Sequence, residues 1–305
     1  MEMTKILLAD PLDKEALEEL KSIPVFEVTL KTGMDEAELV KTIPDYEVIV
    51  VRSATKVTRK VIEAATNLKL IIRAGIGLDN IDVEAAKEKQ IEVANTPAAT
   101  SISVAELTLG LMIAVARNLG RAYQSMKEHK WEKKVLSGTE LYGKILGIIG
   151  FGRIGQEVAK RALALGMKVI AYDIIEVKTD LPVDLVSFDD LLKQADIITL
   201  HVPLTKETKY LLSKPQFEKM KKGVIIVNAA RGGVVEEKAL LEALNSGQVR
   251  AAALDVFEKE PPVDFSLIDH PNVFATPHIG AAAEEGQRRA GMEVVKILKQ
   301  KYFSS

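Results

Sequence analysis

The stretch Lys144-Ile-Leu-Gly-Ile-Ile-Gly-Phe-Gly-Arg-Ile-Gly155, followed at a distance by Asp173, decides how this chain is read. Ile145 to Ile149 is a short continuous apolar run, the pattern of a strand buried on both faces of a parallel sheet. Gly150, Gly152 and Gly155 then spell G-x-G-x-x-G, and Arg153 to Leu165 has the periodicity of a helix. A second apolar strand, Lys168 to Tyr172, ends at Asp173, 18 residues past Gly155. Each part has a separate task in holding a dinucleotide. Gly150 permits a tight turn, Gly152 lets the backbone approach a pyrophosphate, and Gly155 lets the helix pack on the strand. The helix N-terminus, opened by Arg153 and Ile154, offers unpaired N–H groups and partial positive charge to that pyrophosphate. Asp173 can accept hydrogen bonds from both ribose hydroxyls and would repel a 2′-phosphate, and Ile174 and Ile175 rather than an arginine follow it. The expected cofactor is therefore NAD and not NADP.

Outward from this motif the chain alternates between strand and helix. Upstream, Ile6–Ala9, Val25–Leu30, Glu47–Val51, Leu68–Arg73 and Ile91–Ala94 read as strands. Helical patterns at Lys14–Lys21, Asp35–Thr42, Thr58–Ala65 and Val83–Lys89 separate them. Pro97 punctuates the end of this unit, and a long helix is expected from near Ser101, with Ser103 and Glu106 as a capping box. Downstream, Asp196–Leu200, Gly223–Asn228, Arg250–Asp255 and Asn272–Ala275 are strand candidates, and Ala283–Gln300 is an amphipathic helix. The expectation is an α/β chain of two doubly wound parallel-sheet domains with a cleft between them, and ligands at the carboxyl ends of the strands. Residues 1–97 with 281–305 form one domain, and 98–280 the other.

Composition excludes several classes. The 305 residues carry a net charge of −2, which gives no general attraction for nucleic acid or anionic membrane. There is no cysteine, hence no disulfide framework, thiolate metal site or cysteine nucleophile. Strand-like Ile6-Leu-Leu-Ala follows Lys5 directly in place of a secretory leader, and the longest apolar stretch, Ile102–Ala116, carries Glu106 and is too short for a membrane span. A cytoplasmic protein is expected. No His and acidic residues fall at helical ligand spacing, so no metal is expected. His129, in a polar stretch, reads as solvated, His270 before Pro271 as a turn residue, and Trp131 as a packing or subunit anchor.

Three residues that could do chemistry together each follow an expected strand. Arg231 comes after Val224-Ile-Ile-Val-Asn-Ala-Ala230, Glu260 lies just past the strand that ends at Asp255, and His278 stands in Val273-Phe-Ala-Thr-Pro-His-Ile-Gly280. Hydride transfer between an alcohol and a carbonyl needs a group to exchange the hydroxyl proton, which His does near neutral pH. It also needs a cation for a carboxylate and a polarised carbonyl, and the Arg fork supplies that. A carboxylate beside the His favours imidazolium and fixes its orientation. In the first domain, backbone N–H groups of Gly75, Ile76 and Gly77 can form an anion nest, and Arg52 and Arg73 are candidates for the phosphate of a substrate.

The chain resembles the D-2-hydroxyacid dehydrogenases, most of all the short D-3-phosphoglycerate dehydrogenases, over essentially its whole length. The resemblance is carried by Arg52-Ser53, Arg73-Ala-Gly-Ile-Gly-Leu-Asp-Asn80, the glycine loop, His201-Val-Pro203, Asn228-Ala-Ala-Arg-Gly232, Leu254-Asp-Val-Phe-Glu-Lys-Glu-Pro261 and Pro277-His-Ile-Gly280. It implies a flavodoxin-like substrate domain, a Rossmann nucleotide domain, and Arg231, Glu260 and His278 as the catalytic triad. It further implies that Asp255 holds the nicotinamide amide and that His201, Val202 and Pro203 lie by the adenosine. Thr208, Ala229, Ala230 and Gly280 join the cofactor contacts, and Ser53 the substrate contacts. The implied reaction is NAD-dependent oxidation of 3-phospho-D-glycerate to 3-phosphooxypyruvate in serine biosynthesis, by a homodimer or homotetramer built through the nucleotide domain. Two departures stand out: Thr100 where that family usually has Asn, and Lys133 where it often has Arg. The chain ends soon after the last helix, so appended regulatory domains are not expected. The alternatives are a glyoxylate/hydroxypyruvate reductase, another D-2-hydroxyacid dehydrogenase, and a nucleotide-sensing binding protein like the dehydrogenase-like corepressors.

Overall fold

The computed structural model describes residues 3–303. The chain divides into two compact units, one running to Ser101 and resuming at Ala281, the other spanning Ile102–Gly280.

The first unit begins β1 (Thr4–Leu8), α1 (Lys14–Ser22), β2 (Phe26–Leu30), α2 (Glu36–Thr42), β3 (Val48–Val51), α3 (Arg59–Ala64), β4 (Leu70–Arg73), α4 (Val83–Glu88) and β5 (Glu92–Asn95). Its strands form one parallel sheet in the order β2-β1-β3-β4-β5. Alternate side chains feed opposite layers, as a period of two requires. Ile6, Leu8, Val48, Val50, Leu70 and Ile72 enter one core, and Leu7, Ile49, Val51 and Ile71 the other, against Leu39, Val61, Ile62 and Ala85 of α2, α3 and α4. The Asp13, Asp35 and Asp82 side chains cap α1, α2 and α4 by accepting from backbone N–H groups.

The second unit holds α5 (Ser101–Ala116) from its second residue onward, α6 (Leu119–Lys127), β6 (Ile145–Ile149), α7 (Arg153–Ala164), β7 (Lys168–Tyr172), β8 (Asp184–Leu185), α8 (Phe188–Gln194), β9 (Ile197–Leu200), α9 (Lys214–Lys219), β10 (Val224–Asn228), α10 (Glu237–Asn245), β11 (Val249–Leu254) and β12 (Val273–Ala275). Its parallel sheet runs β12-β11-β10-β9-β6-β7-β8. The strand order reverses direction between β6 and β9, the switch point where an open α/β sheet leaves a crevice for a ligand. Leu146, Ile148, Ile197 and Val227 pack under α5 and α7, while Ile198, Leu200, Ile226 and Leu254 pack under α8, α9 and α10.

After Gly280 the chain returns to the first unit as α11 (Glu284–Phe303), which lays Ala290, Val294, Val295 and Leu298 on the core shared with α1. Burying each of the Val and Leu side chains is worth roughly 1.5–3 kcal/mol. Gly291 lets the two helices approach, because a Cβ there would stand 2.7 Å from that of Ala16.

Strand positions agree with the sequence expectations to within one or two residues. One expectation needs correction. The long helix starts at Ser101, so Ser103 lies within its first turn, and Glu106 pairs with Arg161 at 3.1 Å instead of capping. The helix then breaks at Asn118, whose φ of 53° is left-handed, and α6 leaves at a bend of 67°. Among the described residues no single helix is long and apolar enough to cross a membrane.

Candidate active site

The glycine loop follows β6 at the switch point. Gly150 has φ +92°, and a Cβ on it would lie 2.7 Å from the carbonyl of His201. A Cβ on Gly155 would meet the Gly150 oxygen at 2.3 Å, so the helix packs against the turn only without a side chain. At Gly152 the opposite holds: a Cβ would meet nothing within 4 Å. That open space lies at the N-terminus of α7, where no side chain caps the first N–H groups. Asp173, at the end of β7, accepts from Phe151 N–H (2.7 Å) and from Ile175 N–H (3.2 Å). Each of its oxygens keeps a lone pair for a ribose hydroxyl.

Beside the loop, at the end of β9, the His201 ring is buried, and burial pushes its pKa down to about 3, so it is neutral at physiological pH. One ring nitrogen meets the Thr199 hydroxyl at 3.1 Å, and the other, Nδ1, is buried without a partner. The Val202 side chain backs Gly150, whereas Thr208 ties its own loop together by donating to the Pro203 carbonyl at 2.6 Å. The uncapped helix end, the open Gly152 and the unpartnered Nδ1 fit a dinucleotide.

The three chemical residues stand at the ends of neighbouring strands. Past β10, the buried Asn228 side chain accepts from Ala230 N–H (3.1 Å) and donates to the Arg231 carbonyl (3.0 Å), which sets the course of the backbone at Arg231. Ala229 and Ala230 are buried, and the Arg231 guanidinium donates to the Ala230 carbonyl at 2.7 Å. Past β11, Asp255 is fully buried. Its Oδ1 accepts from the Thr276 hydroxyl (2.6 Å) and Ile279 N–H (2.9 Å), and its Oδ2 from Gly280 N–H (2.8 Å). The carboxylate expected to hold a nicotinamide amide thus anchors the loop that carries His278.

Past β12, His278 adopts φ +53°, a strained conformation for a non-glycine residue, and its Nδ1 lies 2.6 Å from Glu260 Oε2. Glu260 accepts a second bond at Oε1 from Phe257 N–H (3.1 Å). Because a carboxylate only accepts, Nδ1 carries the proton, and in the neutral imidazole Nε2 keeps its lone pair. The bond to Glu260 raises the His278 pKa above the ordinary value. Partial burial opposes the rise, the charges of Glu260 and Asp255 add to it, and Arg231 counters it. Burial alone would raise Glu260. The bonds from His278 and Phe257 and the charges of His278 and Arg231 outweigh it and leave the carboxyl below its usual range. An apolar cavity of about 500 Å³, lined by Phe257, Pro261, Pro262, Phe265, Ile268 and Pro277 among others, flanks the pair.

In the first unit, Arg52 and Arg73 stand at the ends of β3 and β4. Asn80 joins them, donating to the Arg52 carbonyl (2.8 Å) and accepting from Arg73 Nε (3.1 Å), and Asp10 accepts from Arg52 N–H at 2.6 Å. The Arg52 guanidinium reaches only the Pro11 carbonyl, at 3.5 Å, and enters no ion pair among the described residues. The Arg73 guanidinium lies over Gly75, where a Cβ would be 2.5 Å from it. Gly75 N–H donates back to the Arg73 carbonyl (2.9 Å), so of the expected anion nest the donors of Ile76 and Gly77 are left, and Ser53 is exposed. The roles of Asp10 and Asn80 are not legible in the sequence, because their partners lie 7 to 45 residues away. His129 is exposed, His270 accepts from Asn272 N–H within a turn, and Trp131 is 79% exposed, which removes packing within the chain as its role. Among the described residues no group of His and acidic side chains could hold a metal ion.

A nucleotide-binding α/β unit with a histidine–carboxylate pair and an arginine on adjacent strand ends defines a dinucleotide-dependent oxidoreductase. Comparison with known proteins agrees: the profile of the D-isomer specific 2-hydroxyacid dehydrogenase NAD binding domain matches residues 109–280. The chain is 58% identical over 300 residues to a hydroxypyruvate reductase of Thermotoga maritima, covering 97% of this chain and 98% of that one. It is 54% identical to a D-3-phosphoglycerate dehydrogenase of Methanocaldococcus jannaschii, covering 98% of this chain but 57% of that longer protein. Among solved structures, D-lactate dehydrogenase of Aquifex aeolicus complexed with NAD and lactic acid shares 31% identity at a TM-score of 0.86, covering 99% of this chain and 96% of that one. The chain belongs to the D-2-hydroxyacid dehydrogenase family, and its cofactor is NAD.

Proposed function

We propose that the chain oxidises 3-phospho-D-glycerate to 3-phosphooxypyruvate, the reaction that opens serine biosynthesis, and that Arg231, Glu260 and His278 carry it. The observation that bears most weight is the 2.6 Å contact between His278 Nδ1 and Glu260, which leaves Nε2 as the base. NAD, when bound, accepts the hydride that leaves C2. His278 Nε2 takes the C2 hydroxyl proton, and Glu260 stabilises the imidazolium that results. Arg231 holds the substrate carboxylate and the C2 oxygen as carbonyl character develops. Ile76 and Gly77 offer N–H groups to the carboxylate, and Arg52, with Arg73 beside it, takes the phosphate. Gly150, Gly152, Gly155 and the first turn of α7 hold the pyrophosphate, Asp173 the ribose, and His201 to Pro203 with Thr208 the adenosine side. Ala229, Ala230 and Gly280 would border the nicotinamide, and Asp255, which fastens Gly280 N–H, is the proposed partner of its amide.

A second reading, reduction of hydroxypyruvate or glyoxylate, draws support from the reductase matched over nearly its whole length, whereas the phosphoglycerate dehydrogenase is matched over about half of its own. Thr100 and Lys133 depart from the phosphoglycerate pattern and so weaken the first reading without changing the reaction class. A panel of 2-hydroxy and 2-oxo acids, followed by NADH absorbance, separates the two. Higher kcat/KM for 3-phosphoglycerate than for unphosphorylated acids supports the first reading, and the reverse replaces it with the second. Tight NADH binding with no turnover of any acid overturns both and leaves a nucleotide-sensing module. We also propose a homodimer or homotetramer through the nucleotide unit, which exposes Tyr123, Met126, Trp131, Val135 and Tyr142, and light scattering that returns a monomer mass refutes it.

A further inference from the structure

Outside the catalytic residues, three side chains clasp the backbone segments that bear them. Glu258 N–H donates to Glu237 Oε1 at 2.6 Å, and Glu237 N–H donates back to Glu258 Oε1 at 2.9 Å. The Tyr210 hydroxyl donates to the other oxygen of Glu258 at 3.0 Å. Tyr210 itself sits at φ +54°, its N–H bonded to the Gly233 carbonyl at 2.7 Å. A bulky residue in the left-handed region is strained and persists only where surrounding contacts over-determine it.

The clasp joins two stretches of chain that the chemistry needs in register. One is Arg231-Gly232-Gly233, which leads into α10 at Glu237. The other is Phe257-Glu258-Lys259-Glu260, which ends at the His278 partner. They touch closely: a Cβ on Gly232 would lie 1.8 Å from the Phe257 carbonyl oxygen. Phe257 N–H in turn orients Glu260, so a displacement of 257–258 moves the Glu260 carboxylate. Like charge works against this gathering. Burial, together with the charges of Glu258, Asp264 and Glu260, raises the Glu237 pKa, although the bond from Glu258 N–H lowers it. Tyr210 is faced by Glu258, Glu236 and Glu237, and His278 by Glu260, Asp255 and Arg231. Two acidic groups, Glu237 and Glu258, held together by directed bonds against the charges of Asp264 and Glu260, make a costly way to decorate a surface.

We infer that Glu258, fastened by Glu237 and Tyr210, is a positioning residue that sets Glu260 against His278 and Arg231. The inference rests on the hydride-transfer reading for its kinetic consequences but not for its physical one.

The test compares Glu258→Ala, Glu258→Gln and Tyr210→Phe in the full chain. Two readouts are used: the His278 imidazole titration by proton NMR, with the resonance assigned by its loss in His278→Gln, and the pH profile of kcat/KM for 2-hydroxy-acid oxidation. The Gln side chain still accepts from Glu237 N–H and still meets the Tyr210 oxygen, so it keeps the clasp without the charge. Glu258→Ala is expected to lower the His278 pKa by about half a unit or more, toward its ordinary value. It is also expected to reduce kcat on the order of ten-fold or more, because small misplacements of catalytic groups carry losses of that size. Glu258→Gln should stay near the unmodified protein in both readouts, and Tyr210→Phe should fall between and keep the chain folded if Glu258→Ala does not. An unchanged His278 titration in Glu258→Ala, or in Tyr210→Phe where Glu258→Ala does not fold, overturns the inference. Equal shifts in the Gln and Ala variants overturn it as well, since charge and not position would then be at work. The NMR titration needs no substrate, so an absence of turnover in the unmodified protein defeats the functional reading and leaves the positioning inference to be decided by NMR.

Discussion

Replacing Glu260 by Gln removes one negative charge from His278 while leaving a group of the same shape at 2.6 Å. A hydrogen bond to a charged group is worth about 1.5–3 kcal/mol. His278 and Glu260 are 46% and 36% exposed at their side chains, so solvent screening discounts that figure to about 1 kcal/mol. At 1.36 kcal/mol per unit, the expected fall in the His278 pKa is about 0.5–1 unit. The sign follows from which form works. Oxidation needs neutral His278 as base, and the raised pKa of the unmodified protein confines the neutral form to higher pH. The acid limb of kcat/KM for oxidation therefore moves to lower pH in Glu260→Gln. Reduction needs the imidazolium, so the variant loses reductive activity at a lower pH than the parent. Linkage gives a stability counterpart: a raised folded-state pKa contributes stability fully present below about 6.5 and lost as pH rises through the folded value. The assay is steady-state NADH absorbance across pH 5–9 in both directions, a range of about two units either side of neutrality. Limbs at the same pH in parent and variant refute the claim that Glu260 tunes His278.

His278→Ala should cut kcat by about 10²–10⁴-fold with NADH affinity nearly unchanged, and retention of more than about a tenth of kcat shows that the base lies elsewhere. Asp173→Ala should erode the preference for NAD over NADP, and comparable kcat/KM for both cofactors in the parent sinks that assignment. Gly232→Ala places a Cβ 1.8 Å from the Phe257 oxygen, where only backbone can yield. It should destabilise the protein by about 3 kcal/mol or more on urea titration, and an unchanged midpoint refutes the close approach. Arg52→Ala should raise KM for a phosphorylated acid on the order of ten-fold more than for its unphosphorylated analogue, and equal effects mark a structural arginine.

What could be read in the sequence is what backbone geometry writes into residue type. Gly150, Gly152 and Gly155 are legible because a positive φ, an open approach and a tight helix contact each admit glycine best. The strands are legible because burial on both faces leaves uninterrupted runs such as Val48–Val51. Two-residue β8 is not legible, since Asp184 and a single exposed Leu185 make neither an apolar run nor an alternation. The capping box at Ser103 misled because its spacing is right while the helix has already begun at Ser101, and the break at Asn118 rests on a residue that tolerates the left-handed region without announcing it.

The site divides along the same line. Arg231, Glu260 and His278 could be named because each follows a strand and has a residue type suited to a task. What holds them in place could not be named. Asp255 was legible as a strand-end acid, but only its three donors, 21 to 25 residues away, show that it fastens the His278 loop. Glu237 and Glu258, also 21 residues apart, are ordinary acids in sequence, and their reciprocal bonds exist only once β10 and β11 lie side by side. A general base needs a partner within a fraction of an ångström, and long-range contacts supply that precision here. The reactive atoms of this chain are thus a local property of its strand ends, whereas the spacing between them is a property of the fold.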